Sequence, residues 1–295
     1  MRVDIGCVPI VWNNVDQPEL GPTAPFETIL DELARLEFSG CQFSRDFPGE
    51  VVPRSALSDR GLRLAEWYVN VPVTDDGLAP EARRMALEGL DGLRTYGGDV
   101  LCVAVDGSPA RDAFSGRVDA GSARWPDAAF QQLGELLDDL AANTPDEVRI
   151  AFHPHVASFV ETPREVELLA EALAGSTAGL CLDVAHYTVG GGDPVEAIRR
   201  YSALIKHVHA KDVDGGVLGR MRMGEYAGLD EATRARIFTE LGNGVVDLAG
   251  VVQALDDIGY DGWIMVEQDS SWLPPAEATE IGSRVLRAAL AEVGA

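Results

Sequence analysis

A chain of 295 residues, 46% hydrophobic and 24% charged, is long and apolar enough to bury a full core as one large barrel or two modest domains. Its formal net charge of -24 repels phosphate backbones and anionic membranes, so neither nucleic acid nor a membrane surface is an expected partner. No apolar run is long enough to span a bilayer, and Met1-Arg2-Val3-Asp4 leads straight into a strand-like segment without a signal-peptide core, so a cytoplasmic location is expected.

Short apolar runs alternate with amphipathic helical patterns from end to end, the sign of repeated βα units. The strand candidates, in order, are Val3–Val11, Gly40–Ser44, Leu62–Val69, Val100–Val105, Val148–His155, Gly179–Val184, Ile205–Lys211 and Trp263–Glu267. Between them, Ile29, Leu30, Leu33 and Leu36 share one helical face, and Leu133, Leu136, Leu137 and Leu140 share another. Cys7, Cys41, Cys102 and Cys181 fall in four different strands with no metal-ligand spacing, which predicts small buried hydrophobes rather than disulfides. Thr162-Pro163-Arg164-Glu165 predicts a helix start, with Thr at the cap, Pro at the first position and Glu at the third. Asp193-Pro194 after the Gly190–Gly192 run predicts another. Residues 214–243 are long for a βα loop and contain a helical stretch near Glu231–Leu241. On the catalytic face of a barrel such a segment serves as a lid or substrate wall, or equally as surface decoration or a dimer contact.

Eight such units without a Pro/Gly/Ser linker predict a single-domain (β/α)8 TIM barrel over residues 1–295, with the 214–243 excursion after strand seven. A doubly wound Rossmann-type sheet is the competing fold. It wants a glycine-rich loop after the first strand, where this chain has Pro9-Ile10-Val11-Trp12-Asn13-Asn14.

In a barrel, chemistry sits at the C-terminal ends of strands. All five histidines, His153, His155, His186, His207 and His209, fall at or just after the ends of strands five to seven. His153-Pro154-His155 ends strand five, and Asp183-Val184-Ala185-His186 ends strand six. In His207-Val208-His209-Ala210-Lys211-Asp212, alternation puts His207, His209 and Lys211 on one face. The last strand delivers Glu267 after an apolar run. Taken singly, a strand-end His reads as a hydrogen-bonded structural residue and an Asp as a helix cap. Four adjacent strand ends carrying imidazoles and carboxylates read together as a site for one divalent transition metal, Mn²⁺, Co²⁺, Fe²⁺ or Zn²⁺. Trp12, Asn13 and Trp272 are candidate walls for a sugar-like ring, or core aromatics in the case of the tryptophans.

These motifs, in this order, resemble the xylose-isomerase-like TIM barrels, the sugar phosphate isomerase/epimerase superfamily, and within it the inosose dehydratase (2-keto-myo-inositol dehydratase) family. The resemblance runs through Val8–Asn14, Phe152–His155, Asp183–His186, His207–Val213, Leu241–Leu248 and Gly259–Asp269. It implies a metal held by His153, Asp183, His209 and Glu267, with His155 as the alternative on strand five. Two-base epimerases of the superfamily carry a Glu on strand five as well as on strand eight. With His at the first of these, the resemblance favours a reaction needing one base, one Lewis acid and one general acid.

The implied activity is dehydration of a cyclic 2-keto polyol such as an inosose, by α-proton abstraction and loss of a β-hydroxyl. Glu267 or His155 is the candidate base, and His186 or His207 the candidate acid, with Lys211 and Asp212 tuning them. Substrate contacts are expected from Trp12, Asn13, Gln42, Arg45 and Asp212. The chain departs from the family pattern at Gln42, Pro154 and Val184-Ala185, and at Arg45 and Glu66, where neutral residues are expected. An isomerase or epimerase of a keto sugar, cleavage of a 3-keto glycoside and a non-catalytic sugar-binding barrel remain the alternatives. The partner in each case is a small polyhydroxylated carbonyl compound, and homo-oligomerisation is left open.

Overall fold

The computed structural model describes residues 1–15, 17–21, 23–49, 51–119, 121–145 and 147–294. Eight parallel strands close into a barrel: β1 (Arg2–Val8), β2 (Gly40–Ser44), β3 (Arg63–Val71), β4 (Val100–Val105), β5 (Arg149–Phe152), β6 (Gly179–Asp183), β7 (Ile205–Ala210) and β8 (Asp261–Glu267). Each strand pairs with its sequence neighbours, and β1 closes the ring against β8, from Arg2 beside Asp261 to Val8 beside Glu267. This is the expected (β/α)8 barrel.

Two strands end well before the apolar pattern predicts, at Val8 rather than Val11 and at Phe152 rather than His155. After Val8 the chain tightens into a 3₁₀ turn at Pro9–Trp12, because Pro9 has no N–H to offer the ladder and a ring preset for a helical φ. β5 stops at Phe152 rather than His155. Pro154 again lacks the donor, and the His155 amide bonds to Val160 O within the exit loop.

The outer layer is helical: α1 (Phe26–Arg35), α2 (Ala82–Tyr96), α3 (Asp127–Ala142), α4 (Pro163–Ala172), α5 (Val184–Val189), α6 (Pro194–Arg200), α7 (Gly215–Arg222), α8 (Leu229–Arg234), α9 (Leu248–Asp257) and α10 (Pro275–Glu292), besides short turns. The predicted apolar faces are the buried ones, with Ile29, Leu30 and Leu33 on α1 and Leu133, Leu137 and Leu140 on α3 wholly inside. α2 can approach β3 closely because position 92 is Gly; a Cβ there would stand 2.5 Å from the Trp67 ring. Among the described residues no helix is long and apolar enough to cross a membrane.

Inside the ring, Val100, Cys102, Ala151, Cys181, Trp263 and Met265 fill the lower layers. All four cysteines are free and buried, as expected. The 214–243 excursion has a small core of its own. Val217, Leu218, Met221, Ala232, Ile237 and Phe238 pack with Ala185 and Val189 of α5.

The start of α4 is pinned twice. Thr162 and Glu165 form the expected capping box. Glu165 also takes both arms of Arg111, at 2.5 and 3.0 Å, and this fully buried guanidinium comes from the loop after β4. The βα loops of β4 and β5 are thereby locked together by a bidentate pair out of water. Removing one partner of such a pair strands the other charge, so Arg111→Leu is expected to cost about 3–5 kcal/mol in chemical denaturation. Thr162→Ala, which loses only the cap, is expected to cost about 1 kcal/mol.

Candidate metal centre and active site

Adjacent strands bring the reactive groups to one height. On β8, alternation turns Trp263, Met265 and Glu267 inward in succession. The β6–β7 register sets Asp183 beside His209, and the β7–β8 register sets Met265 beside His209, so Glu267 stands one step nearer the rim. His153 follows the last residue of β5, and its amide still bonds to Val103 O of β4 at 2.8 Å, which holds it in the ring.

His153, Asp183, His209 and Glu267 each offer one atom to a common point, the four atoms lying within 4.8 Å of one another. His153 Nε2 is 3.7 Å from Asp183 Oδ2, and His209 Nδ1 is 2.8 Å from Glu267 Oε2. The two carboxylates divide their oxygens. Asp183 Oδ1 accepts the N–H groups of Ala185 and His186 at 2.8 and 2.7 Å, capping α5. Glu267 Oε1 takes the Lys211 ammonium at 2.8 Å. Asp183 Oδ2, Glu267 Oε2 and His209 Nδ1 are buried without an aligned hydrogen-bond partner. Buried polar atoms are normally satisfied. Three that converge, with a second imidazole beside them, make a mixed nitrogen and oxygen donor set of the kind that suits a first-row transition metal.

The protonation states suit the same purpose. Burial acts to raise Asp183 and Glu267, but the Lys211 ammonium and the neighbouring imidazoles outweigh it and hold both well below the usual carboxylate range, Glu267 at about 2. Burial opposes the charge on Lys211, and Asp269, Glu267 and Asp183 more than restore it, raising its pKa. Three carboxylates share this one ammonium, with Asp269 at 2.9 Å. Burial, abetted by the Glu267 charge, lifts Asp269 to about 7 despite Lys211.

Two deeper clusters share His209, Glu66 with His207 and Cys102 with Cys181. The first is paired within itself, Glu66 Oε2 standing 2.7 Å from His207 Nε2 and 3.0 Å from His209 Nε2. In the second, burial and then Cys102 push the Cys181 thiol well up, so it is not the thiolate that a metal needs. The His153–Asp183–His209–Glu267 group differs in facing a cavity. Its His and Glu side chains lie at the floor of a space of about 830 Å³ at the C-terminal ends of the strands. Another cavity, about 540 Å³, opens near the N-terminal ends of β5 and β7 around Arg149, Lys206 and Tyr260, and contains none of these ligand groups.

Of the residues expected to meet substrate, Asn13, Gln42 and Arg45 line the large cavity, as do His155 and His186. Leu229, Asp230, Thr233 and Phe238 also line it, so the excursion forms part of its wall. Four expectations need correction. His207 lies wholly buried beneath the ring against Glu66 rather than at the cavity. Asp212 is spent on the backbone, accepting the N–H groups of Val213, Gly242, Gly244 and Val246, and it folds the excursion's return. Trp12 packs in the core. Trp272 is 77% exposed, with the Arg236 guanidinium over its ring. Lys211 is fully buried behind the cavity wall, 3.2 Å from His186 Nε2. Sequence reasoning passed over Tyr68 and Asp269, which line the cavity, and treated Glu66 only as an odd charge.

The two cavity imidazoles differ. His155 hydrogen-bonds through Nδ1 to Val156 O at 2.7 Å, which assigns its proton to Nδ1 and leaves Nε2 the lone pair. His186 meets a donor at each nitrogen, Val156 N–H at Nδ1 and Lys211 at Nε2, in a ring already desolvated and beside His155. Burial, His155 and Lys211 accordingly hold its pKa well below the usual value.

Residues 30–289 match the xylose isomerase-like TIM barrel family. The inosose dehydratase of Geobacillus thermodenitrificans (strain NG80-2) is 31% identical, over 94% of this chain and 93% of that protein. The rhizopine catabolism protein MocC of Rhizobium meliloti is 32% identical, over 100% of this chain and 90% of that one. Among solved structures, the IOLI protein with a binding zinc atom superposes with a TM-score of 0.69 over 98% of this chain and 99% of its own, at 14% identity, a likeness of fold.

Burial, then His153 and Lys211, hold His155 at about 4 against the usual 6.5. Between these values the unfolded chain binds more protons than the folded one. The contribution of this ring to stability is therefore full above about pH 6.5 and is lost as the pH falls toward 4. An imidazole NMR titration is expected to show His155 neutral at pH 6, and His155→Gln is expected to flatten the acid limb of the stability profile.

Proposed function

Because the chain belongs to the xylose isomerase-like TIM barrel family, we propose that it is a metal-dependent carbon–oxygen lyase that dehydrates a cyclic keto-polyol of the inosose class. The activity named for its Geobacillus relative supports the substrate class and the reaction. The observation that carries the metal is the convergence of Asp183 Oδ2, His209 Nδ1 and Glu267 Oε2, all buried without an aligned hydrogen bond, next to His153.

In this reading His153, Asp183, His209 and Glu267 hold one divalent transition metal, Mn²⁺, Co²⁺, Fe²⁺ or Zn²⁺. When bound, such an ion supplies Lewis acidity to the substrate ketone and a neighbouring hydroxyl, which acidifies the adjoining C–H. The rest falls to the protein. Glu267, committed through one oxygen to Lys211 and through the other to the metal point, is not free to act as base. His155 is, since the Val156 carbonyl holds its Nδ1 proton and leaves Nε2 to accept the α-proton. The electron pair of that C–H bond becomes the new carbon–carbon double bond as the β-carbon–oxygen bond breaks. The departing hydroxyl takes a proton from the Lys211–Asp269 pair and leaves as water. Asp269 lines the cavity and shares a hydrogen bond with the ammonium, so a proton lost there is replaced from Lys211. Asn13, Gln42 and Arg45 meet the substrate hydroxyls. A two-base epimerase would need an uncommitted carboxylate on each side of the substrate, and strand five supplies His153 instead.

Metal analysis of the purified protein is expected to give about one equivalent of a transition metal. That equivalent is expected to be lost in Asp183→Ala/Glu267→Ala. Incubation of the loaded protein with inososes is expected to yield a conjugated product absorbing in the near ultraviolet, which isomerisation does not produce. His155→Gln is expected to lower kcat by about 10²–10⁴-fold with the metal retained. A protein that takes up no metal even with added Mn²⁺ or Co²⁺ contradicts this function, and a loaded protein that interconverts inososes without the absorbing product moves it to the isomerases.

A further inference from the structure

Glu66 lies in the middle of β3 with no exposure at all, inside a barrel whose interior is apolar at Val100, Cys102, Ala151 and Cys181. A carboxylate in such a place is costly unless its charge is answered. It is answered from across the barrel. One oxygen, Oε2, reaches both inward imidazoles of β7, His209 Nε2 at 3.0 Å with hydrogen-bond alignment and His207 Nε2 at 2.7 Å. The contact spans 143 residues of sequence, so it reflects barrel closure rather than a local turn.

The consequence falls on the other nitrogen of His209. A neutral imidazole carries one proton. In the neutral ring that ligation requires, an Nε2–H donated to Glu66 leaves Nδ1 the lone pair, and Nδ1 is the atom that stands 2.8 Å from Glu267 Oε2 within the ligand group. Glu66 is the carboxylate that meets Nε2, while Glu267 meets Nδ1 from the cavity side at 2.8 Å. His207 stands on the other side of the same oxygen and steadies the carboxylate.

We propose that Glu66 is a positioning residue of the metal centre: through its bond to Nε2 it sets the tautomer and the plane of His209, so that Nδ1 faces the ion, with His207 as its anchor. This rests on the metal-centre reading above. It also gives a task to His207, which does not reach the cavity, and to the one charge that stood out in an apolar strand. Carboxylate partners of ligating imidazoles commonly act in this way, orienting the ring and raising its basicity.

The test uses Zn²⁺ as the probe, on the full chain. Zinc affinity is measured by chelator competition for wild type, Glu66→Gln and Glu66→Asp, with thermal melts of the metal-free proteins alongside. Glu66→Gln preserves size and one acceptor oxygen; Glu66→Asp preserves the charge but withdraws it by one methylene. If position matters as well as charge, both variants weaken zinc binding, by about 10–100-fold, while the fold persists. In the zinc-loaded wild type, ¹⁵N-edited NMR is expected to show a slowly exchanging Nε2–H on His209 and ligation through Nδ1. In the variants that N–H is expected to exchange faster and shift upfield. If one variant fails to fold, the other carries the comparison. Unchanged affinity with an unchanged Nε2–H signal in a folded variant overturns the proposal and leaves the metal centre standing. Ligation of wild-type His209 through Nε2 overturns it equally. Failure of wild type to bind zinc, or zinc binding unaffected by Asp183→Ala, overturns the metal centre and this proposal together.

Discussion

Carboxylates taken out of water must be met by opposite charge or by donors, and the upper half of this barrel buries a set of them around its axis. Each answer to that demand organises a different part of the molecule. Glu66 is answered by two imidazoles of β7 and so ties opposite walls of the barrel. One oxygen of Asp183 is answered by the first N–H groups of α5, which fixes where that helix starts. One oxygen of Glu267 and both oxygens of Asp269 are answered by Lys211, one of only two lysines in the chain. After these pairings Asp183 Oδ2, 3.5 Å from Lys211, and Glu267 Oε2, 2.8 Å from His209 Nδ1, still lack an aligned hydrogen bond, with His153 beside them. In the function proposed above, a divalent cation completes this arrangement.

The barrel itself was legible because its signals are local. The alternation of apolar runs and amphipathic helices, the Thr162 capping box and the Asp193-Pro194 helix start all act within a few residues, and each is realised. The early ends at Val8 and Phe152 also have local causes, Pro9 and Pro154, whose missing N–H outweighs the apolar pattern around them. The convergence of histidines was legible for a related reason. A parallel barrel converts position along a strand into height, so reactive residues at successive strand ends must meet.

Depth was not legible. Alternation puts His207 and His209 on one face, yet His209 joins His153, Asp183 and Glu267 while His207 lies a layer beneath, and only the stagger of β7 against β6 and β8 decides which. Asp212 follows the same strand, but the chain has already turned outward, and its carboxylate is claimed by the returning 242–246 segment. Trp12 and Trp272 were equally open to either role, and their fates were set by a 3₁₀ turn and by an exposed loop. Glu66 did announce itself, as a charge inside an apolar run, but its partners lie across the barrel and no spacing rule connects them.

The excursion after β7 completes the cavity in a way that no strand end could. Its helices pack on α5 through a core of their own, and Leu229, Asp230, Thr233 and Phe238 reach the cavity whose floor is the barrel itself. The proposed chemistry requires a single ion among four named side chains. Anomalous diffraction from crystals grown with Mn²⁺ or Zn²⁺, collected above and below the metal edge, tests it most directly. The expected result is one strong peak bonded to His153, Asp183, His209 through Nδ1 and Glu267. A peak at the deeper Cys102–Cys181 or Glu66–His207 positions, or none within the barrel, would contradict it.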